Sequence, residues 1–343
     1  MTNAQSQMRQ EIAEIPTAVE RLLTKGADNI RRTSSEIRHV DPAFAITVAR
    51  GSSDHVCAYL KYVSELLLGI PFASVGPSVS SLYKAPLRLK NSLCLSVSQS
   101  GKSPDIVDMA KAARRDGALT VAITNDPNAP LAEASSHRLD LHAGTERSVA
   151  ATKTFLTSAV AGLLLLAEWR GDRGLIEAIH DLPAALDRAT KIDWPAVQDA
   201  IGAETSLFTL GRGPAWAMAN EAALKFKEVC QIHAESYSSA EVLHGPVSIV
   251  DHGFPVLVFA AADAAEEALV GVADGLAKKG ARVFITSDQP RAATAIDPIR
   301  TKHHLTDPLT LIVSFYSMVE RLAMARGIDP DRPRHLKKVT ETV

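Results

Sequence analysis

Cysteine is scarce in this chain: Cys57, Cys94 and Cys230 are the only three in 343 residues. Their number is odd, they lie far apart and none has CxxC spacing, which excludes a disulfide framework and a cysteine zinc site. They read as buried, reduced thiols. An excess of charge of either sign is also missing. Thirty-seven basic residues stand against thirty-nine acidic ones, a formal net charge of −2, so nothing in bulk suits a nucleic-acid backbone as partner. Met1 to Arg21 is polar and lacks the apolar segment of a signal peptide. The apolar run Ala159 to Ala167 stops after nine residues at Glu168, where a bilayer needs about 20. A cytoplasmic protein with no membrane partner is expected. Neither ARGSSDH nor LGRGPAW supplies the GxGxxG of a dinucleotide site. No cofactor and no metal are expected.

What is present is an ordinary globular composition, 46% hydrophobic and 22% charged, in a chain longer than one core usually spans. It also repeats. AITVARG at 45–51 returns in character as LFTLGRG at 207–213, and DGALTVAITND at 116–126 as KGARVFITSD at 279–288. LCLSVS at 93–98 has its counterpart in PVLVFA at 255–260. Matches in one order and nearly one spacing indicate a duplicated domain. Each copy alternates short β-branched runs with segments of helical period, such as Pro104 to Arg115 and Glu266 to Lys279, the pattern of parallel βαβ units. The fold class is therefore α/β, two tandem three-layer αβα sandwiches with mainly parallel sheets. The expected organisation is a helical extension over 1–35, a first domain over 36–180, a second over 195–330 and a tail over 331–343.

In such sheets ligands gather beyond the carboxyl ends of the strands. The strand Leu93 to Val97 runs into Ser98-Gln99-Ser100-Gly101-Lys102-Ser103, and Pro104 begins a helix. Gly101 permits the tight turn, Ser103 suits the N-cap and Pro104 the first turn. Three hydroxyls, an amide and free backbone N–H groups meet at the positive end of a helix dipole, an anion cradle. A second hydroxyl-rich turn, Gly51-Ser52-Ser53, follows the first strand and belongs beside it. Together they favour phosphate.

The second copy instead carries EAALKFKEVCQIHAESYSSAEVLHGP at 221–246. Glu221, Lys225 and Glu228, spaced i, i+4 and i+7, share one helix face. For an isolated ExxxKxxE segment the default is a solvated salt-bridge stripe. His233 and His244 read first as hydrogen-bonded structure. His244, though, precedes the turn signal Gly245-Pro246 after a helical segment Ser239 to Leu243, and a loop histidine can reach a ligand. An imidazole suits proton exchange with a sugar oxygen, and a carboxylate such as Glu228 could shuttle a proton between adjacent carbons.

At these residues the chain resembles the sugar-isomerase (SIS) domain family. GSS at 51–53, SQSGKS at 98–103, VAATK at 149–153, ALKFKE at 223–228, HAESY at 233–237, EVLHGP at 241–246 and LKKVTETV at 336–343 are similar to motifs of the isomerase half of glucosamine-6-phosphate synthase, in the same order. The strings ARGSSDH, SQSGKSPD, SSAEVLHGP and GIDPD look closer to single-chain SIS deaminases. The resemblance implies that Ser98, Gln99, Ser100 and Ser103 hold a phosphate, and that Ser52, Ser53, Thr152 and the backbone at Val149 and Ala150 line the sugar. It implies that Glu228, with Lys225 beside it, moves the proton between C1 and C2. It also implies that His244, supplied by the neighbouring subunit of a homodimer, assists ring opening. The tail lysine closes over the ligand in the family; Lys338 matches best, with Lys337 the alternative. Ala151 and Lys102 depart from the synthase pattern, where serine and an acidic residue are usual.

About forty polar residues without an early cysteine precede the first repeat, so no glutaminase is expected and the chemistry is expected to run toward ammonia release. The expected activity is glucosamine-6-phosphate deamination to fructose 6-phosphate. A fructosamine-6-phosphate deglycase, a galactosamine-6-phosphate deaminase or a simple ketose-aldose isomerase would share the phosphate loop. A sugar-phosphate sensor is the reading without catalysis. Residues 1–40 are too few and too balanced in charge for a DNA-binding domain.

Overall fold

The computed structural model describes residues 5–338. The first repeat builds a parallel sheet from β1 (Phe44–Val48), β2 (Phe72–Ser74), β3 (Ser92–Val97), β4 (Leu119–Thr124) and β5 (His137–Asp140), in the order β2-β1-β3-β4-β5. The second repeats it with β6 (Ser206–Gly211), β7 (His233–Ser238), β8 (Pro255–Phe259), β9 (Arg282–Ile285) and β10 (Thr294–Ala295), ordered β7-β6-β8-β9-β10. Counted from its own first strand, each sheet reads 2-1-3-4-5. The internal echoes fall on the matching strands, β1 with β6, β3 with β8 and β4 with β9, so the duplication is structural as well as textual.

Contacts divide the chain into two compact units that interleave along the sequence. One holds residues 17–146, 153–180 and Lys337–Lys338; the other holds 5–16, 147–152 and 181–336. The helix Ala27–Val40 runs unbroken through residue 35, and the helix Leu182–Ala189 fills the stretch between 180 and 195.

Within the first-sheet unit the period-2 alternation of strands divides the core between two faces. Ile46, Val48, Cys94 and Ala122 pack with Ile106, Met109 and Ala110 of the helix Pro104–Arg115. The alternate residues Ala45, Leu93, Leu95 and Val121 are equally buried, on the face that the helices Ser52–Leu67 and Lys153–Arg170 cover. The second of these is apolar nearly all round because it is buried nearly all round. It contains the run Ala159 to Ala167. Gly162 lets it approach its neighbour closely: a Cβ there would lie 2.3 Å from Leu60 Cδ1. Among the described residues no helix is long and apolar enough to cross a membrane.

In the other unit Phe208, Leu210, Val256, Val258 and Val283 pack against Leu269, Ala273 and Leu276 of the helix Glu266–Ala277. On the opposite face the helices Pro214–Cys230 and Asp307–Ala325 pack together through Phe226 and Phe315, whose rings meet edge to face with centroids 5.1 Å apart. All three cysteines are buried, and burial pushes the thiols of Cys94 and Cys230 up to about 12.

Candidate functional site

In the first-sheet unit β1 and β3 are neighbours, and the loops leaving their carboxyl ends carry the two hydroxyl-rich turns. This is the point where the chain crosses from one side of the sheet to the other, the usual place for a ligand in an open α/β sheet. The loop after β3 is folded by its own polar atoms. Ser98 Oγ accepts from Gly101 N at 3.2 Å, Ser100 Oγ accepts from Lys102 N at 3.3 Å, and Gln99 O accepts from Asn125 N at 3.1 Å. A hydroxyl that accepts one bond keeps its own proton for donation.

Ser103 stands at the N-cap of the helix Pro104–Arg115, as its position in the sequence suggests, but its side chain makes no capping hydrogen bond. That corrects the capping role expected of it. Its hydroxyl is not spent on the helix, whose first turn already gives the Ile106 N–H to the buried carboxylate of Asp105 at 2.9 Å.

Gly101 has φ +63°, and a Cβ there would lie 2.6 Å from Ala129 Cβ and 2.9 Å from Thr124 Oγ1. The left-handed conformation alone costs a side chain about 1–2 kcal/mol, and the overlap adds to that. Gly101→Ala is therefore expected to lower the urea midpoint and to weaken sugar-phosphate binding, read by calorimetric titration. Unchanged affinity would remove this loop from the binding site.

Three residues that sequence reasoning did not single out hold the loops together. Asp105 is buried, and Arg50 Nη2 bonds its Oδ2 at 2.8 Å, with Nε at 3.2 Å. The pair ties the turn after β1, with Ser52 and Ser53 in the first turn of the helix Ser52–Leu67, to the helix that follows the serine loop. Asn125, after β4, gives its side-chain N–H to Gly144 O at 2.8 Å and accepts from Ala143 N at 3.1 Å, so it joins the serine loop to the loop after β5. Gln99, Ser100, Lys102, Asn125, His142 and Glu146 line part of a cavity of about 730 Å³. Lys102 lies 3.6 Å from Asp126, both exposed; such a pair contributes little to stability.

The last wall of that cavity includes Glu146 and Lys338. Glu146 Oε2 accepts from Lys338 Nζ at 2.8 Å. Lys337, the alternative, is exposed. Beyond Glu146 the chain passes to the other compact unit, where Val149 is half-buried and Ala150 and Thr152 are buried. There the backbone N–H groups of Arg147 and Ser148 both bond the buried carboxylate of Glu11, which sets this segment's course.

The second-sheet unit holds the titratable cluster. Glu221 and Lys225 have no exposed side-chain surface, and Glu228 retains 18%. The solvated stripe is thus excluded: the face they share points inward, and Tyr316 from the helix Asp307–Ala325 donates to Glu221 at 3.2 Å. Lys225 Nζ lies 2.5 Å from Glu228 and 3.1 Å from Glu221. Burial works against its charge, but the two carboxylates outweigh that and raise its pKa above the ordinary lysine value. Glu228 is consequently held in place by the Lys225 ammonium while staying partly open to solvent. His244 closes an exposed 3-10 turn, Glu241–His244, in place of the helical segment 239–243 expected before it. His233 is exposed at the start of β7. The ExxxKxxE spacing signals this cluster only together with the buried Ala and Phe positions between.

Relatives share this architecture. A crystal structure from Silicibacter pomeroyi DSS-3, of a protein provisionally named a phosphosugar isomerase, is 63% identical with a TM-score of 0.93, covering 95% of this chain and all of that one. The glucosamine-6-phosphate deaminase from Thermotoga maritima is 21% identical with a TM-score of 0.79, over 98% of this chain and 100% of its own, a likeness of fold. Among curated proteins, a glutamine--fructose-6-phosphate aminotransferase (isomerizing) from Methanothermobacter thermautotrophicus is 32% identical over 96% of this chain. The chain spans a little over half, 56%, of that relative's length. The profile of one family, SIS domain, matches residues 44–168 and again 201–325, each sheet once. The chain belongs to the SIS domain family.

Proposed function

We propose that the chain is a phosphosugar isomerase that takes glucosamine 6-phosphate and water to fructose 6-phosphate and ammonia. The observation that carries this reading is the serine loop. Its hydroxyls, at the N-terminal end of the helix Pro104–Arg115, make a preorganised anion cradle beside a cavity of about 730 Å³, enough for a hexose phosphate. The relatives' names, a glutamine--fructose-6-phosphate aminotransferase (isomerizing) and a phosphosugar isomerase, support the substrate class.

In this reading the phosphate sits on Ser98, Gln99, Ser100 and Ser103, while Ser52, Ser53, Thr152 and the backbone at Val149 and Ala150 meet the sugar. His244, from the second subunit of a homodimer, and Lys338 assist ring opening to the aldehyde. Glu228, held by Lys225, removes the C2 proton and returns it to C1. The aldehyde becomes a hydroxymethyl group and the C2 amine an imine. Water adds at C2 and ammonia leaves, giving the ketose.

The test is ammonia release from glucosamine 6-phosphate by the purified protein, with fructose 6-phosphate measured alongside. Equal yields of both are expected. Binding of the sugar phosphate without ammonia release would sink the deaminase reading and leave a deglycase or a sensor.

A further inference from the structure

The loop after β5 ends on a carboxylate that neither the phosphate cradle nor the proton transfer uses. Glu146 has no exposed side-chain surface. Its Oε1 accepts from Thr154 N at 3.0 Å and its Oε2 from Thr154 Oγ1 at 2.6 Å, at the first turn of the helix Lys153–Arg170. Immediately before it, Thr145 O accepts from the buried ammonium of Lys153 at 2.9 Å. The carboxylate is therefore pinned at a helix N-terminus, where a negative charge is favoured. Burial pushes its pKa up, but the charge and hydrogen bond of Lys338 and the two bonds from Thr154 outweigh this and hold it below the ordinary glutamate value.

A buried carboxylate of this kind is costly without a cation. The cation is Lys338, 192 residues away in sequence, at 2.8 Å with its side chain only 24% exposed. Both line the cavity that Gln99 and Ser100 also line. From this we infer that Glu146 is the positioning residue for Lys338: it fixes the ammonium at the cavity wall. The inference concerns the role proposed above for Lys338 and rests on that reading for its catalytic consequence. The docking itself stands apart from it.

The experiment compares the two neighbouring lysines. The protein is treated with a limiting amount of an amine-acetylating reagent, and modification of Lys337 and Lys338 is quantified by peptide mass spectrometry. In the wild-type chain Lys338 reacts at least about ten times more slowly than Lys337, since an amine held by a buried carboxylate must leave that pair before it can react. In Glu146→Gln, which preserves shape and can still accept from Thr154, that difference disappears. Turnover on glucosamine 6-phosphate falls by about ten- to a hundredfold with KM little changed, the signature of a group needed in the transition state, and Glu146→Asp restores part of it. Equal reaction of the two lysines in the wild-type chain overturns the inference, whether or not the variant folds. So does protection that survives in Glu146→Gln, or, where the wild-type chain turns the substrate over, a rate that the substitution does not move. A wild-type chain inactive on glucosamine 6-phosphate but with Lys338 protected through Glu146 would refute the proposed reaction and leave the docking intact.

Discussion

Glu228→Gln lowers turnover by about 10² to 10⁴ and leaves KM for the sugar phosphate nearly unchanged. The physical basis is the geometry at Lys225. Its ammonium lies 2.5 Å from one carboxylate oxygen of Glu228 and fixes it, while the side chain stays 18% exposed, the opening through which the proposed proton transfer would act. A glutamine at 228 keeps the hydrogen bond through its carbonyl oxygen and fills the same volume, so the fold and the phosphate contacts persist. What it cannot do is take a proton from carbon. Steady-state kinetics on glucosamine 6-phosphate decide it. Retention of more than about a tenth of wild-type turnover removes Glu228 from the proton-transfer role.

The parts of this molecule that were legible in the sequence are those whose physics is local. The central strands β1, β3, β4, β6, β8 and β9 are runs of β-branched and apolar residues buried on both faces, and the duplication marks them twice. The serine loop was legible because strand, glycine, serine and proline follow one another within a dozen residues. Edge strands were not: His137–Asp140 and His233–Ser238 are polar and half-covered, so their sequences carry no apolar period. Long-range polar contacts were not legible either. Nothing in the neighbourhood of Asp105 announces Arg50, 55 residues earlier, and nothing near Glu146 announces Lys338.

The cluster on the helix Pro214–Cys230 shows why such contacts escape a sequence reading. Glu221, Lys225 and Glu228 have the spacing of a surface stripe, and only the packing of the helix Asp307–Ala325 over them, with Tyr316 on Glu221, makes the stripe internal. The same letters at the same intervals would be nearly neutral on a solvated helix.

That difference in environment leads to the largest expected loss of stability. In Lys225→Met the side chain keeps its length and apolar stem, but the charge between Glu221 and Glu228 is gone. Glu221 has no exposed side-chain surface, so its carboxylate must either remain charged in a dry site or take up a proton. Breaking a buried pair from one side typically costs about 3–5 kcal/mol, and Lys225 serves two partners at once. The expected result is a fall of that size in unfolding free energy, measured by urea denaturation. Glu221→Gln added to Lys225→Met is expected to recover part of the loss, because it removes the stranded charge while keeping an acceptor for Tyr316. Neighbours in one network depart from additivity in this way. Strict additivity of the two changes, or a single-variant loss under about 1 kcal/mol, would place the three charges in a solvated setting and would take from Glu228 the fixed cation on which its proposed role depends.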